Sequence, residues 1–192
     1  SQIVAREYVS GAMENTTAVI HGESAYQMKG QLIDENRQEN TIAHEVFHHW
    51  FGNLVTTESW SNLALNESFA NYSQYLWREY KYGKTDADAH LFENTKPYLS
   101  DPSNHEKKLV RYYYNDKEDM FDLVSYNKGG AILHMLRRYL GDDAFFLGLK
   151  KYLNTYQYKS AEVSQLRLAL EEVSGKDLQW FFNQWFFGSG HP

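Results

Sequence analysis

Cysteine is absent from the 192-residue chain, and proline occurs only three times. Without cysteine, disulfides and thiolate zinc sites are excluded. No apolar run approaches the roughly 20 residues that a membrane-spanning helix needs. The formal net charge is −6 and no long basic run is present, which argues against a nucleic-acid or acidic-membrane partner. These features indicate a globular protein and leave its compartment open.

The composition is sufficient for a substantial core. Hydrophobic residues make up 42% of the chain and charged residues 23%, and there are 15 Tyr, 11 Phe and 5 Trp. A chain of this length favours one domain, so residues 1–192 are interpreted as a single unit. The chain starts without Met, and Ser1 to Val4 run directly into strand-like sequence. We therefore expect a domain excised from a longer protein.

The pattern along the chain predicts an α+β fold that is mainly α. Strands are expected at residues 3–9 and around 18–21, before a polar loop over 22–35. Helical spacing and end signals then predict a helical bulk. The expected helices cover residues 36–53, a segment ending near Gly83, about 86–95, 126–140, 143–155 after an Asp142 cap, a segment to Val173 after a Ser160 cap, and residues from Asp177 onward, with irregular sequence over 97–123.

A pair of histidines in the first long helix forms the strongest chemical signal. His44 and His48 are four residues apart, so a helix places both imidazoles on one face, with Glu45 beside them. Two such imidazoles can bind one Zn²⁺, and the adjacent glutamate can accept a proton from water. A catalytic zinc site needs a third protein ligand, and Glu67, eighteen intervening residues past His48, is well placed.

The helix around these histidines is expected to be buried. At roughly 100° per residue, Ile42, Val46 and Trp50 lie within about 80° of one another. Phe47 and Phe51 extend this apolar face, and the histidines and Glu45 occupy the remaining wedge. The alternative is an ordinary helix with a polar face and hydrogen-bonded histidines. His49 lies off the metal face and is interpreted as a packing or hydrogen-bonding residue.

Five segments together resemble the zinc aminopeptidases of the aminopeptidase N family, which also contains leukotriene hydrolase and belongs to the gluzincins. The segments are Gly11–Asn15, His44–His48, Trp50–Asn53, Leu65–Glu67 and Ser125–Gly129. Residues 180–192 are similar to the end of the family's catalytic domain. The resemblance implies a thermolysin-like catalytic domain and one Zn²⁺ per chain, held by His44, His48 and Glu67.

The resemblance also implies roles for other residues. Glu45 would act as general base, and the Tyr126 hydroxyl would stabilise the oxyanion. Glu14 would bind the free amine of a peptide substrate, which docks like an added strand along the backbone near Gly11 and Ala12. That segment, completed by Met13 and Asn15, would form the substrate-binding residues. The local sequence alone favours a solvated Glu14 in a glycine-containing turn, and the metal motif shifts the interpretation to amine binding.

The sequence departs from the family pattern at three positions. Ala64 stands where the family usually has Trp, and Ser68 where it usually has Gly. Gln74 stands where a carboxylate is usual, which can alter metal affinity or ligand orientation.

Two alternative functions remain at this stage. One is a related zinc hydrolase that acts as an endopeptidase or epoxide hydrolase. The other is an excised domain that binds zinc with little activity, because full-length family members carry flanking domains that cover the site.

Overall fold

The computed structural model describes residues 1–34, 36 and 38–191. Its N-terminal part is a three-stranded sheet in the order β1-β3-β2. Strand β1 (Gln2–Ala5) pairs in parallel with β3 (Val19–Gly22), and β2 (Ala12–Met13) pairs antiparallel with β3. The predicted strand over 3–9 was too long, because the chain turns at Glu7, whose φ is +50°.

The helix that carries the histidine pair is shorter than predicted. Helix α2 (Glu39–Phe47) ends at His48, whereas the prediction extended it to residue 53. A short helix, α1 (Gln31–Asp34), lies within the predicted loop. Residues 35 and 37, at the predicted junction of loop and helix, lie outside the described part of the chain, as does residue 192.

The rest of the described chain is mainly helical, which confirms the predicted fold class. Its longer helices are α3 (Glu67–Tyr82), α4 (Lys84–Ser100), α5 (Gly129–Leu140), α6 (Asp142–Tyr156), α7 (Val163–Ser174) and α8 (Gln179–Trp185). Four 3₁₀ segments cover Glu23–Ala25, Trp60–Leu65, Pro102–Asn104 and Lys117–Met120, and a π-helical turn covers Val124–Lys128.

Helix α3 lies at the centre of the core. Its Phe69 ring stacks on Phe51 with centroids 4.0 Å apart, and Phe51 in turn stacks on Tyr152. Helix α5 approaches α3 so closely that a Cβ at Gly129 would lie 1.9 Å from the Ser68 hydroxyl. This close approach fixes the segment before α5 against the start of α3, where Glu67 lies.

Several local predictions were wrong because neighbouring contacts override local signals. Helix α4 continues through Pro97, and the next residue, Tyr98, is buried in the core. Asp142 does not cap α6 and instead binds Arg137. Ser160 lies in strand β5 (Lys159–Ala161), which pairs in parallel with β4 (Val55–Thr57), and Glu162 caps α7.

The apolar pattern predicted that helix α2 would be buried over most of its circumference, and this prediction was wrong. The helix packs against α3 along one side, and Ile42, Val46 and Trp50 are 37%, 37% and 46% exposed. Ile42 and Val46 therefore lie at the margin of the contact with α3, beside Trp77 and Lys81, where the described chain covers them only in part. Among the described residues, no helix combines the length and apolarity needed to cross a membrane.

Candidate active site

The two histidines of the motif and Glu67 converge at the contact between α2 and α3. His44 lies in the last turn of α2, His48 follows its end, and Glu67 is the first residue of α3. The Nε2 atoms of His44 and His48 lie 3.2 and 3.5 Å from the same Glu67 oxygen, Oε2. All three side chains are buried. One ligand atom from each lies within 4.8 Å of the others, so the three form a group able to hold a metal ion.

The His48 ring is held in an orientation that suits metal binding. Its Nδ1 donates a hydrogen bond to the Phe51 carbonyl at 3.0 Å, which leaves Nε2 directed at Glu67. A hydrogen bond of this kind fixes the tautomer of a ligating histidine. On the other ring, His44 Nδ1 lies 3.4 Å from the amide nitrogen of Gln74, Nε2. The predicted location of Gln74 beside a ligand is therefore seen in the structure.

The charges of this group are strongly coupled. Burial alone would lower the pKa of His48, but the hydrogen bond and charge of Glu67 outweigh burial and raise it. Burial alone would raise the pKa of Glu67, but the two histidines outweigh it and lower it. The carboxylate is thus held ionised, as a metal ligand must be.

Glu45 lies beside the group with a free carboxylate oxygen. Its Oε2 is buried and has no hydrogen-bond partner among the described residues. Burial raises the pKa of Glu45 to about 7; the charge of His48 opposes this, and Glu14 and Glu67 add to it. A cation bound nearby would lower that pKa. Such a carboxylate is suited to accept a proton near neutral pH.

The Gly11–Asn15 segment comes to the same place. A Glu14 oxygen lies within 4.8 Å of ligand atoms of both Glu45 and His48. The backbone here is tied to the chain after α2, because the Asn53 side-chain amide donates a 2.8 Å hydrogen bond to the Glu14 carbonyl. The structure therefore does not leave Glu14 as an isolated residue in a solvated turn.

Tyr126 lies against the first histidine. Its ring is parallel to that of His44, with an interplanar angle of 3° and centroids 5.8 Å apart. Burial raises the pKa of Tyr126 far above its ordinary value, and the charge of Glu67 and a hydrogen bond to it raise it further. The hydroxyl is therefore a stable hydrogen-bond donor.

Three further residues lie near the site. His49 was predicted not to bind the metal, and Asn53 and Ser68 were given no role. His49 lies outside the group of His44, His48 and Glu67, and its buried Nδ1 has no hydrogen-bond partner among the described residues. The contacts of Asn53 and Ser68 were not predicted. Asn53 belongs to the Trp50–Asn53 segment of the family resemblance, which could have indicated a role for it. Ser68 was noted only as a departure from the family pattern, and nothing in the sequence indicated a contact for its hydroxyl.

Two imidazoles from a His-Glu-x-x-His segment and a glutamate from the next long helix form the ligand arrangement of a metal-dependent hydrolase. Comparison with known proteins agrees. Residues 1–185 match the model of the Peptidase family M1 domain, and the chain belongs to this family.

The relatives include several aminopeptidases and a protein named as a protease-interacting factor. Aminopeptidase M1-C of Oryza sativa is 32% identical over 97% of this chain. Tricorn protease-interacting factor F2 of Thermoplasma acidophilum is 36% identical and Aminopeptidase N of Lactococcus lactis 35% identical, each over 97% of the chain. The chain spans only 22%, 24% and 23% of these relatives' lengths, respectively.

The fold matches solved members of the family. A crystal structure of an M1 zinc metallopeptidase mutant from Deinococcus radiodurans, bound to a Tyr-Ser-Ala substrate, superposes with a TM-score of 0.77 at 25% identity. The match covers 98% of this chain and 40% of that one. Family and fold together support a peptidase, as the sequence had predicted.

Proposed function

We propose that this chain, as a single catalytic domain, is a zinc-dependent aminopeptidase that hydrolyses the N-terminal peptide bond of peptides. The observation that carries the proposal is the position of Glu14. Its carboxylate lies within 4.8 Å of ligand atoms of Glu45 and His48. A fixed anion at that distance can hold a substrate's ammonium group beside the general base, which restricts attack to the first peptide bond.

The residues fit one Zn²⁺, with His44, His48 and Glu67 as its ligands. Two imidazole nitrogens and one carboxylate oxygen are a common donor set for catalytic zinc. The oriented His48 ring and the unpartnered Glu45 oxygen also fit a site that takes a metal ion and a water molecule. When bound, zinc would lower the pKa of a coordinated water to about 7 and polarise the substrate carbonyl.

Strand β2 offers an edge for the substrate. No described strand pairs with its outer side. Gly22 N–H donates to the Gly11 carbonyl, so the alternation of an antiparallel ladder directs the backbone groups of Ala12 toward the open edge. A peptide that adds as a strand would pair there. Met13 and Asn15 flank Glu14 on this segment and complete the proposed substrate-binding residues.

Glu45 and Tyr126 would carry the proton and charge changes. Glu45 would accept a proton from the attacking water and pass it to the leaving amine. The Tyr126 hydroxyl would donate a hydrogen bond to the carbonyl oxygen as negative charge develops there. One such donor is typically worth about 10²–10³ in rate.

The experiment compares aminoacyl-anilides with their N-acetylated forms on the zinc-loaded chain, with and without chelator. An aminopeptidase hydrolyses the free-amine substrates, loses that activity when chelator is added, and does not hydrolyse the acetylated substrates. Equal cleavage of both would instead support an endopeptidase. Glu14→Gln should remove the preference for a free amine, and Glu172→Gln, a change to an exposed side chain on α7, serves as a control.

A zinc-binding chain without hydrolysis is the other outcome to be tested. The chain spans about a quarter of the length of its relatives, and the apolar residues Ile42 and Val46 on α2 and Trp50 just after it are more than a third exposed. If the chain binds zinc but does not cleave the anilides, it is a metal-binding domain with little activity by itself.

A further inference from the structure

The segment that carries Tyr126 is a π-helical turn, Val124–Lys128, which leads directly into α5. Single π-turns are rare and often lie at functional sites. They are uncommon because their hydrogen-bond pattern departs from that of the α-helix. Contacts from outside the turn are therefore needed to select this conformation.

Asp122 supplies contacts at the start of the turn. Its Oδ1 accepts hydrogen bonds from the backbone N–H groups of Val124 and Ser125, both at 3.1 Å. Its own carbonyl accepts the N–H of Tyr126 at 3.1 Å. One residue thus holds three successive N–H groups, including that of Tyr126.

Arg111 fixes the Asp122 carboxylate in turn. Its Nη1 and Nη2 groups donate to the two carboxylate oxygens at 2.7 and 3.1 Å, and Nη2 also donates to the Ser125 hydroxyl at 3.0 Å. The Arg111 and Asp122 side chains are only 13% and 16% exposed. A planar guanidinium that binds two carboxylate oxygens gives directional as well as energetic restraint.

Ser125 joins this arrangement to the metal-ligand helix. It is fully buried, and its carbonyl accepts a 2.7 Å hydrogen bond from the Ser68 hydroxyl. Ser68 follows Glu67 directly. The turn that carries Tyr126 is therefore tied to the residue next to the third ligand.

We propose that Arg111, Asp122 and Ser125, here called the tyrosine clasp, are positioning residues that set the place of the Tyr126 hydroxyl over the His44–His48–Glu67 group. They act through Tyr126. The inference rests on the proposed function, because the hydroxyl needs an accurate place only if it stabilises a developing charge.

A double-mutant cycle tests whether the clasp acts through Tyr126. Asp122→Asn is made alone and together with Tyr126→Phe, and kcat and KM are measured on a free-amine anilide with zinc content checked. Asp122→Asn alone should lower kcat about 10–100-fold, less than the roughly 10²–10³-fold cost of removing one oxyanion donor outright, with KM within about twofold. In the Tyr126→Phe background it should cause no further loss. An equal loss in both backgrounds would overturn the inference.

Control and conservative variants guard against a general loss of structure. Arg78 binds Asp86 by a similar paired contact, at 2.6 and 3.0 Å, between α3 and α4. Asp86→Asn should therefore leave kcat unchanged. Arg111→Lys keeps the charge but loses the paired geometry, and it should lower kcat in the same direction as Asp122→Asn.

Amide hydrogen exchange provides a readout that needs no activity. Loss of the Asp122 carboxylate should speed exchange at the amides of Val124, Ser125 and Tyr126 at least tenfold and leave those in the middle of α3 unchanged. Unchanged exchange at residues 124–126 would refute the clasp. If the parent chain does not hydrolyse peptides at all, the proposed function fails, and exchange still decides for or against the clasp.

Discussion

The Asn53 side-chain amide donates a 2.8 Å hydrogen bond to the Glu14 carbonyl, and the Asn53 backbone N–H donates to the carbonyl of His48. One residue thus connects the proposed amine anchor with the end of the metal-ligand helix. The distance between the proposed amine anchor and the proposed metal ligands depends in part on this connection.

We expect Asn53→Ala to weaken binding of the substrate amine without removing the metal. Loss of one hydrogen bond of about 1 kcal/mol corresponds to a roughly fivefold rise in KM for free-amine substrates. Zinc content should stay at the parent value, because the backbone bond to His48 remains. Steady-state kinetics and metal analysis on one sample measure both. An unchanged KM would show that Glu14 is held without Asn53.

Glu45→Gln should abolish most turnover and retain the metal. The amide has nearly the same shape but cannot accept a proton, and general-base catalysis typically contributes about 10²–10⁴ in rate. The kcat for an aminoacyl-anilide should fall in that range. Loss of zinc in this variant would contradict the assignment, because it would make Glu45 a ligand.

Gln74→Glu should tighten zinc binding. If His44 binds zinc through Nε2, its Nδ1 carries a hydrogen. The Gln74 atom that faces Nδ1 is the amide nitrogen, so the amide must turn over before its oxygen can accept that hydrogen. A carboxylate accepts it in either orientation and more strongly. Such partners typically change metal affinity about 10–100-fold, so we expect a gain of about tenfold, and a loss with Gln74→Leu. Competition with a chromophoric chelator measures both. Equal affinities in all three proteins would show that Gln74 does not act on His44.

Acid stability should depend on Asp122. Burial raises its pKa, but Arg111, the Ser125 N–H and Lys107 outweigh burial and lower it. Since the folded pKa lies below the unfolded value of about 3.9, the ionised group stabilises the fold above that pH, and this contribution is lost as pH falls through the folded pKa. Near neutral pH, Asp122→Asn should cost about 1–3 kcal/mol in free energy of unfolding.

The pH series provides the test of that prediction. Denaturant unfolding followed by circular dichroism should show the gap between parent and Asp122→Asn narrowing below about pH 4. A gap that stays constant down to pH 3 would mean that Asp122 does not titrate with folding.

The convergence of His44, His48 and Glu67 on one candidate metal site could be predicted from the sequence because the signals for it are local. His44 and His48 are one helical turn apart, and Glu67 begins the next long helix, so periodicity and motif spacing suffice. The central helices were predicted for the same reason. Phe69 and Tyr72, for example, are buried as the spacing on α3 requires.

The rest depends on contacts between distant segments. Ile42 and Val46 are apolar at helical spacing, yet each is 37% exposed because the described chain covers that side of α2 only in part. The residues paired between the short strands β4 and β5 are 104 positions apart in sequence, as in Val55 with Lys159, and the strands carry little local signal. The π-turn at Tyr126 is selected by Asp122 and Arg111, whose pairing no local pattern predicts.

Zinc stoichiometry tests directly whether His44, His48 and Glu67 form a zinc site. The chain is stripped with chelator, reloaded with Zn²⁺ and analysed for metal, beside His48→Ala and the control His49→Ala. We predict about one zinc per parent chain, the same for His49→Ala, and zinc affinity weakened at least 100-fold for His48→Ala. Failure of the parent to bind zinc, or equal binding by His48→Ala, would contradict a site formed by His44, His48 and Glu67.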